Sequence, residues 1–175
     1  MRKEMPVFVE EIKMDMIQEF YDLANAYCCF ISENELTVDG IPFLMEQLMK
    51  LYILAMSLPE PVSKEGPLRT TSYKDRSTIR INKQIPRFYW EVFDPFVQED
   101  AVCGDIADDL SDIAADLLSG MREFEAGRIG NAVFEWRFGL NNHWGSHTVD
   151  VLRALHAIRI RQIGVCEGEC DAFES

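Results

Sequence analysis

Apolar residues recur at steps of three and four along most of this chain, which is the spacing of one buried face of a helix. In the first segment the apolar stripe runs from Val9 to Phe30 and spans about six helical turns. The polar stretch "SENELTVDG" then interrupts it. A second stripe predicts a helix from Pro42 to Ser57, because a proline is tolerated in the first helical turn.

The second half of the chain continues the helical spacing. The stretch "IPRFYWEVFDPF" (85–96) is predicted to be a short aromatic helix in which Trp90, Phe93 and Phe96 are core residues. Two longer helices are expected at about 104–125 and 130–162, and no strand pattern competes with them. The predicted fold class is therefore all-α, an antiparallel helical bundle of about five helices with one long basic loop.

That long connection covers residues 58–84 and is polar, with prolines and a glycine near its start. Residues 69–87 carry one acid, Asp75, and six basic residues: Arg69, Lys74, Arg76, Arg80, Lys83 and Arg87. Two interpretations stay open. The favoured one is that the basic loop lies across an acidic bundle, and the alternative is that it is an anion-binding flap.

Length and charge narrow the classes of function. A chain of 175 residues favours a single helical domain at 1–165, with a disordered tail at 166–175. The net charge of −13 argues against nucleic acid and against anionic lipid as partners. No apolar run is long enough to span a bilayer, and the first residues lack the apolar core of a signal peptide. We therefore expect a cytoplasmic protein.

Five cysteines are present, an odd number, and they give only weak signals of chemistry. Cys28 and Cys29 lie in an apolar helix, where they are expected to be small buried residues. Cys166 and Cys170 form a C-x3-C pair near the end of the chain. Such a pair is a weak indication of zinc without two further ligands, so a reduced, loose tail is favoured.

A row of carboxylates follows one flank of the helix predicted at 104–125. Asp105, Asp109, Asp112 and Asp116 are spaced by four, three and four residues, beside the apolar stripe of the same helix. Like charges at this spacing repel one another. We therefore expect either a positive partner nearby or full solvation.

The last predicted helix carries candidate partners in "NNHWGSHTVD" (141–150). If the helix is continuous, His143, His147 and Asp150 share one edge of its apolar stripe with Trp136. Glycines at 139 and 145 could kink the helix and change this geometry.

The turn between these two helices predicts which residues meet. It centres near residues 127–128, so neighbours on the antiparallel helices should have numbers that sum to about 255. The acidic flank of the first helix then faces the histidines of the second at the same positions along the two helix axes. The predicted pairs are Asp112 with His143, Asp109 with His147 (Asp108 being an alternative), and Asp105 with Asp150.

Two interpretations of this facing pair of flanks remain open. The favoured one is a network of Asp–His hydrogen bonds that satisfies buried polar groups and fixes the helix register. The other is a divalent metal site for Zn²⁺, Mn²⁺ or Fe²⁺ with Asp109, Asp112, His143 and His147 as ligands. The candidate polar site comprises Asp108, Asp109, Asp112, Asp116, Arg137, His143, Trp144, His147 and Asp150.

Arg137 lies near the apolar stripe in "EWRFG". It could pair with Asp116 or bind an anion, and an ordinary ion pair is favoured because buried arginines are normally paired.

The stretches "DDLSDIAADLLSGM" (108–121) and "EWRFGLNNHWGSHTVDVLRALH" (135–156) resemble a family of small, mostly bacterial proteins known only as a domain of unknown function. The H-W-G-x-H core and the following A-L-H are the most specific part, whereas the first hundred residues match only in length and helical character. The resemblance implies a helical fold and transfers no reaction.

The leading prediction is a binding or interaction module with a structural Asp–His network between the last two helices. Its partner would be an unknown protein or a small anionic ligand, and a homodimer is a further option. The alternative is a metal-dependent hydrolase of a phosphate-containing small molecule. In that case Asp109 and Asp112 would bind the metal, and His147 would be a ligand or a general base.

Overall fold

The computed structural model describes residues 7–60 and 78–164, with side chains at 13–60 and 78–161. Five α-helices dominate these ranges, as the sequence predicts. They are α1 (Val7–Glu33), α2 (Ile41–Ser57), α3 (Ile106–Glu125), α4 (Ile129–Asn142) and α5 (Trp144–Gly164). The expected all-α fold is therefore confirmed at the level of a predominantly helical architecture.

Two small sheets accompany the helices, so the expectation that no strands form was wrong. Strands β1 (Glu35–Leu36) and β2 (Arg80–Ile81) pair in parallel, while β3 (Phe88–Glu91) and β4 (Val102–Asp105) pair antiparallel. Strands of two to four residues are too short to produce a periodic sequence pattern. The first pair brings the end of the long connection back to the bundle, next to the end of α1.

The aromatic segment 85–96 is not a helix. Its first part is β3, in which exposure alternates so that Tyr89 and Glu91 are partly covered and Phe88 and Trp90 are outside. The predicted core residues Trp90, Phe93 and Phe96 are 69%, 79% and 97% exposed. The prediction failed because the aromatic residues of this segment were assigned to a helical stripe, whereas residues 88–91 pair with β4 as a strand.

Helix α3 occupies the centre of the described bundle, where it packs against α1, α4 and α5. Its apolar stripe, including Leu110, Ile113 and Leu117, is fully buried. Tyr27 of α1 donates its hydroxyl to the carbonyl of Leu110 at 2.9 Å, which satisfies a buried polar group. The acidic flank of α3 is therefore held in a fixed position.

The two neighbouring cysteines of α1 have different environments. Cys28 is buried, as expected, and its thiol lies 3.7 Å from the carbonyl oxygen of Ala114. Burial raises the pKa of this thiol to about 12. Cys29 is exposed, so the expectation of two buried cysteines was wrong for this residue. The pair Cys166 and Cys170 and the tail at 166–175 lie outside the described residues.

The single helix predicted at 130–162 is broken into α4 and α5 at His143. This residue has φ −151° and ψ −83°, which is not helical, and its N–H donates to the carbonyl of Gly139 at 2.8 Å. A Cβ atom on Gly145 would lie 2.0 Å from the carbonyl oxygen of Leu140, so glycine permits this close junction. Trp144, buried at the start of α5, donates its indole N–H to the carbonyl of Trp136 at 3.0 Å.

The basic loop is described only from residue 78 onward, so Arg69, Lys74 and Arg76 lie outside the described residues. Within the described part, Ile79 and Ile85 are buried and anchor the segment to the bundle. Arg87 forms an ion pair of 2.6 Å with Asp105. At this one residue, the interpretation in which a basic segment is held by the acidic bundle agrees with the structure.

None of the helices in the described ranges is both long enough and apolar enough to cross a lipid bilayer.

Candidate functional site

The acidic flank of α3 starts at its N-cap. The carboxylate of Asp105 accepts the N–H of Ala107 at 2.9 Å and hydrogen bonds from Nε and Nη2 of Arg87. Burial raises the pKa of this carboxyl, but the bonds from Arg87 and Ala107 outweigh it, so the pKa is lowered overall. Asp105 thus caps α3, and the predicted pairing of Asp105 with Asp150 is replaced by this arrangement.

Asp109 and His147 form the buried part of the site. Nδ1 of His147 lies 2.8 Å from Oδ1 of Asp109, the contact that the turn position predicts. The second oxygen of Asp109 accepts the hydroxyl of Tyr89 at 2.7 Å. Asp109 is only 5% exposed, so both carboxylate oxygens are held by donors in a largely water-excluded position.

Asp116 and His143 form a second pair closer to the surface. Nδ1 of His143 lies 2.9 Å from Oδ2 of Asp116, and the His143 side chain is 51% exposed. The predicted partner of His143 was Asp112, one turn earlier on α3. His143 hydrogen-bonds one turn further along α3 than predicted, because the prediction assumed a continuous helix and His143 lies in the break between α4 and α5. A ligand-type atom of Asp112 still lies within 4.8 Å of one of His143.

Asp112 lies between these two pairs on the same flank of α3. One of its oxygens is 3.9 Å from Nε2 of His147. One ligand-type atom from each of Asp112, His143 and His147 lies within 4.8 Å of the other two. The two imidazole rings are 4.8 Å apart between centroids and nearly perpendicular, at 77°. These three side chains therefore place three potential metal-ligand atoms near one another.

The carboxylates of the site raise the pKa values of the titratable groups beside them. The hydrogen bond that His147 donates to Asp109 raises the pKa of His147, although burial opposes this, and the charges of Asp109, Asp112 and Glu91 also raise it. The pKa of Asp150 is raised, first by burial and then by the charge of Glu91. The pKa of Tyr89 lies well above its ordinary range, because the ring is half-buried, its hydroxyl donates to Asp109, and the carboxylate of Glu91 is also close.

The remaining predicted site residues take other roles. Asp108 is exposed and lies near Arg87, toward the start of α3. Arg137 pairs with Glu60 and also donates to the carbonyl of Leu58, so the predicted ion pair is present but its partner is not Asp116. Trp144 is fully buried and belongs to the core.

Sequence reasoning missed Tyr89 and Glu91. Both lie on the partly covered face of β3, which the antiparallel pairing with β4 places beside the start of α3. Gly104, opposite Tyr89 in that pairing, makes room for the ring, because a Cβ atom there would lie 2.6 Å from it. The sequence "FYWE" has no alternation of apolar and polar residues that would have indicated a strand.

The fold resembles that of a solved structure. Protein BF1032 from Bacteroides fragilis superposes with a TM-score of 0.60 at 18% sequence identity, which covers 82% of this chain and 95% of that chain. At this identity the likeness concerns the fold alone.

No curated protein matches the chain. A family model does match, over residues 11–161, and this range contains α2, α3, α4 and all the site residues described above. The chain therefore belongs to the family described as "Domain of unknown function (DUF5063)".

Proposed function

We propose that this protein is a binding module whose Asp–His site holds one divalent transition-metal ion. The ligands in this proposal are Nε2 of His143, Nε2 of His147 and a carboxylate oxygen of Asp112. The observation that carries it is the convergence of these three side chains within 4.8 Å, together with the hydrogen bond from each histidine Nδ1 to an aspartate.

The donor set determines which ions suit the site. Two imidazole nitrogens and one carboxylate oxygen are ligands for Zn²⁺, Fe²⁺ or Mn²⁺, and three protein ligands leave coordination positions open. Nitrogen ligands about 2.1 Å from zinc would be separated by about 3.4 Å in a tetrahedral site. The three side chains would therefore close by a small movement, for which the exposed His143 has room.

Asp109 and Asp116 support the ligands in this proposal without binding the ion. A metal-binding histidine commonly donates its other ring N–H to a carboxylate, which fixes the ring orientation and increases its basicity. Asp109 does this for His147 and Asp116 for His143. In this proposal the Asp–His hydrogen bonds and the metal site form one arrangement, in which the hydrogen bonds orient the ligands.

The surroundings do not favour phosphate hydrolysis as the activity of this site. Asp109, Asp116, Asp150 and Glu91 all lie close to the three ligands or to His147 itself. Carboxylates around the ion would repel a phosphate anion. Metal binding is therefore the function that the geometry supports best, without an assigned reaction.

The test is a calorimetric titration of metal-free protein with Zn²⁺, Mn²⁺ and, anaerobically, Fe²⁺. Elemental analysis of the loaded protein then gives the number of ions per chain. We expect one ion per chain for at least one metal, and binding at least about 100-fold weaker in His147→Ala and His143→Ala. A bound metal should also raise the melting temperature, because it stabilises only the folded state.

His156→Ala is the matched control, since His156 is an exposed histidine of α5 outside the site. It should bind metal as the wild type does. Absence of saturable binding to folded wild-type protein would refute the proposal, and so would an equal loss in His156→Ala.

A further inference from the structure

A second candidate site lies on another face of α5, between this helix and β3. Here a groove with a cavity volume of about 520 Å³ runs beside Phe88 and Trp90 on one wall and Ala157 on the other. Phe88 and Trp90 are 62% and 69% exposed, so two large aromatic rings stand beside an open groove. Exposed apolar surface of this kind commonly marks an interaction site.

The edge of β3 that borders the groove has backbone groups directed outward. The N–H of Ile106 donates to the carbonyl of Arg87 at 3.0 Å, and the register places these two residues opposite each other. Bonded and non-bonded pairs alternate along an antiparallel ladder, so Phe88 and Trp90 turn their N–H and carbonyl groups away from β4. Arg153 donates to the carbonyl of Trp90 at 2.9 Å, as this direction requires.

The charge of the groove is opposite to that of the protein. The chain carries a net charge of −13, yet the charged residues that line the groove are Arg153 and Arg161, with no carboxylate among the described lining residues. Arg153 lies close enough to Asp150 for an electrostatic attraction between the two side chains. Within the described ranges, Arg161 forms no ion pair with a carboxylate, and it is exposed. An acidic partner would therefore find complementary charge here.

The spacing of these features matches an extended chain. Arg153, Ala157 and Arg161 are spaced by four residues. The Cα atoms of the two arginines are therefore about 12 Å apart along the helix axis, with a small residue between them. Four residues of a strand cover a similar length, at about 3.3 Å each. The small side chain of Ala157 leaves the middle of the groove open.

We propose that this groove binds a short, extended, acidic peptide segment of a protein partner, which adds as a strand to the edge of β3 that does not pair with β4, beside α5. Backbone hydrogen bonds to Phe88 and Trp90 would supply affinity, as in other cases of strand addition to a sheet edge, once Arg153 releases the carbonyl of Trp90 to which it donates. Acidic side chains would pair with Arg153 and Arg161, and apolar ones would contact the exposed aromatic rings.

The probe is a fluorescein-labelled heptapeptide of alternating Glu and Val, titrated with the full chain by fluorescence anisotropy. A chelator in the buffer keeps the result independent of the proposed metal site. The comparison peptides are a copy with Lys in place of Glu and two copies N-methylated at alternate residues. We expect saturable binding of the acidic peptide, no binding of the basic one, and loss of binding in at least one N-methylated copy.

Arg161→Glu should weaken binding by about tenfold or more, because it places a carboxylate where the peptide carries one. Arg159→Glu is the matched control: it makes the same charge change at an exposed position of α5 that does not line the groove, and it should change affinity less than about twofold. Arg153→Glu provides a second groove variant, and circular dichroism verifies that each variant is folded.

Failure of the acidic peptide to bind saturably would overturn the proposal, as would equal binding of the basic peptide. Undiminished binding of both N-methylated copies would also overturn it, because strand addition needs those amides. Equal losses in Arg159→Glu and Arg161→Glu would show that overall charge, and not the groove, governs binding.

Discussion

Two aspartate–histidine pairs join α3 to the region around the α4–α5 break, and their surroundings differ more than their chemistry. The pair of Asp109 and His147 is largely buried and is extended by the hydroxyl of Tyr89. The pair of Asp116 and His143 has a similar nitrogen–oxygen distance, but its histidine is half exposed. The same hydrogen bond therefore serves two purposes: the inner pair satisfies buried polar groups, and the outer pair orients an accessible ring.

The energetic consequence follows from burial. Removing one partner of a buried polar pair leaves the other partner desolvated and unsatisfied, which costs far more than the net strength of the bond. An exposed pair exchanges its bond for one with water at little cost. The inner pair should therefore govern stability, and the outer pair should matter mainly for a bound ligand.

The largest expected effect is that of Asp109→Ala. It leaves the hydroxyl of Tyr89 and Nδ1–H of His147 without an acceptor, and we expect a loss of about 2–4 kcal/mol in the free energy of unfolding. Urea denaturation of metal-free protein, followed by circular dichroism, measures it. A loss below about 1 kcal/mol would mean that the inner pair is as dispensable as an exposed one.

A smaller effect is expected for Tyr89→Phe. This change removes one hydrogen bond to Asp109 but leaves the His147 bond, so the loss should be about 1 kcal/mol in the same assay. Tyr52→Phe is the matched control, since the hydroxyl of Tyr52 has no hydrogen bond to the described residues and its ring packs against Trp144. Equal stability losses in the two variants would mean that the hydrogen bond from Tyr89 to Asp109 does not contribute to the stability of the inner pair.

The smallest effect on stability is expected for Asp116→Ala, at about 0.5 kcal/mol or less. If the proposed metal site is present, the same variant should bind the ion about tenfold more weakly, since His143 would lose the carboxylate that orients its ring. Calorimetric titration beside urea denaturation measures both. A stability loss as large as that of Asp109→Ala would contradict the prediction that the buried pair contributes more to stability than the exposed pair.

The site could be predicted in part because helical geometry is regular. The steps of four, three and four in α3 place four aspartates on one flank, and the position of the turn places His147 opposite Asp109. This contact is present at 2.8 Å. Periodicity and the position of the turn sufficed for this contact, although His147 lies on α5, beyond the break at His143.

Both errors about the site arise where the backbone departs from a regular helix, which the spacing of apolar residues does not reveal. His143 meets Asp116 because the chain leaves the helix at that residue, and the break depends on the close approach of Gly145 to Leu140. Tyr89 enters the site because β3 pairs with β4. A strand of four residues is too short to be recognised from a periodic sequence pattern.

The sequence by itself determined the helical class, most of the helix bounds, the acidic flank of α3 and the inner Asp–His contact, because each depends on spacing along one or two neighbouring helices. Only the tertiary structure decided the outer pair, the convergence of Asp112 with both histidines, and the open groove between β3 and α5. These depend on a helix break and a strand pairing, whose stability comes from packing against residues far away in the chain.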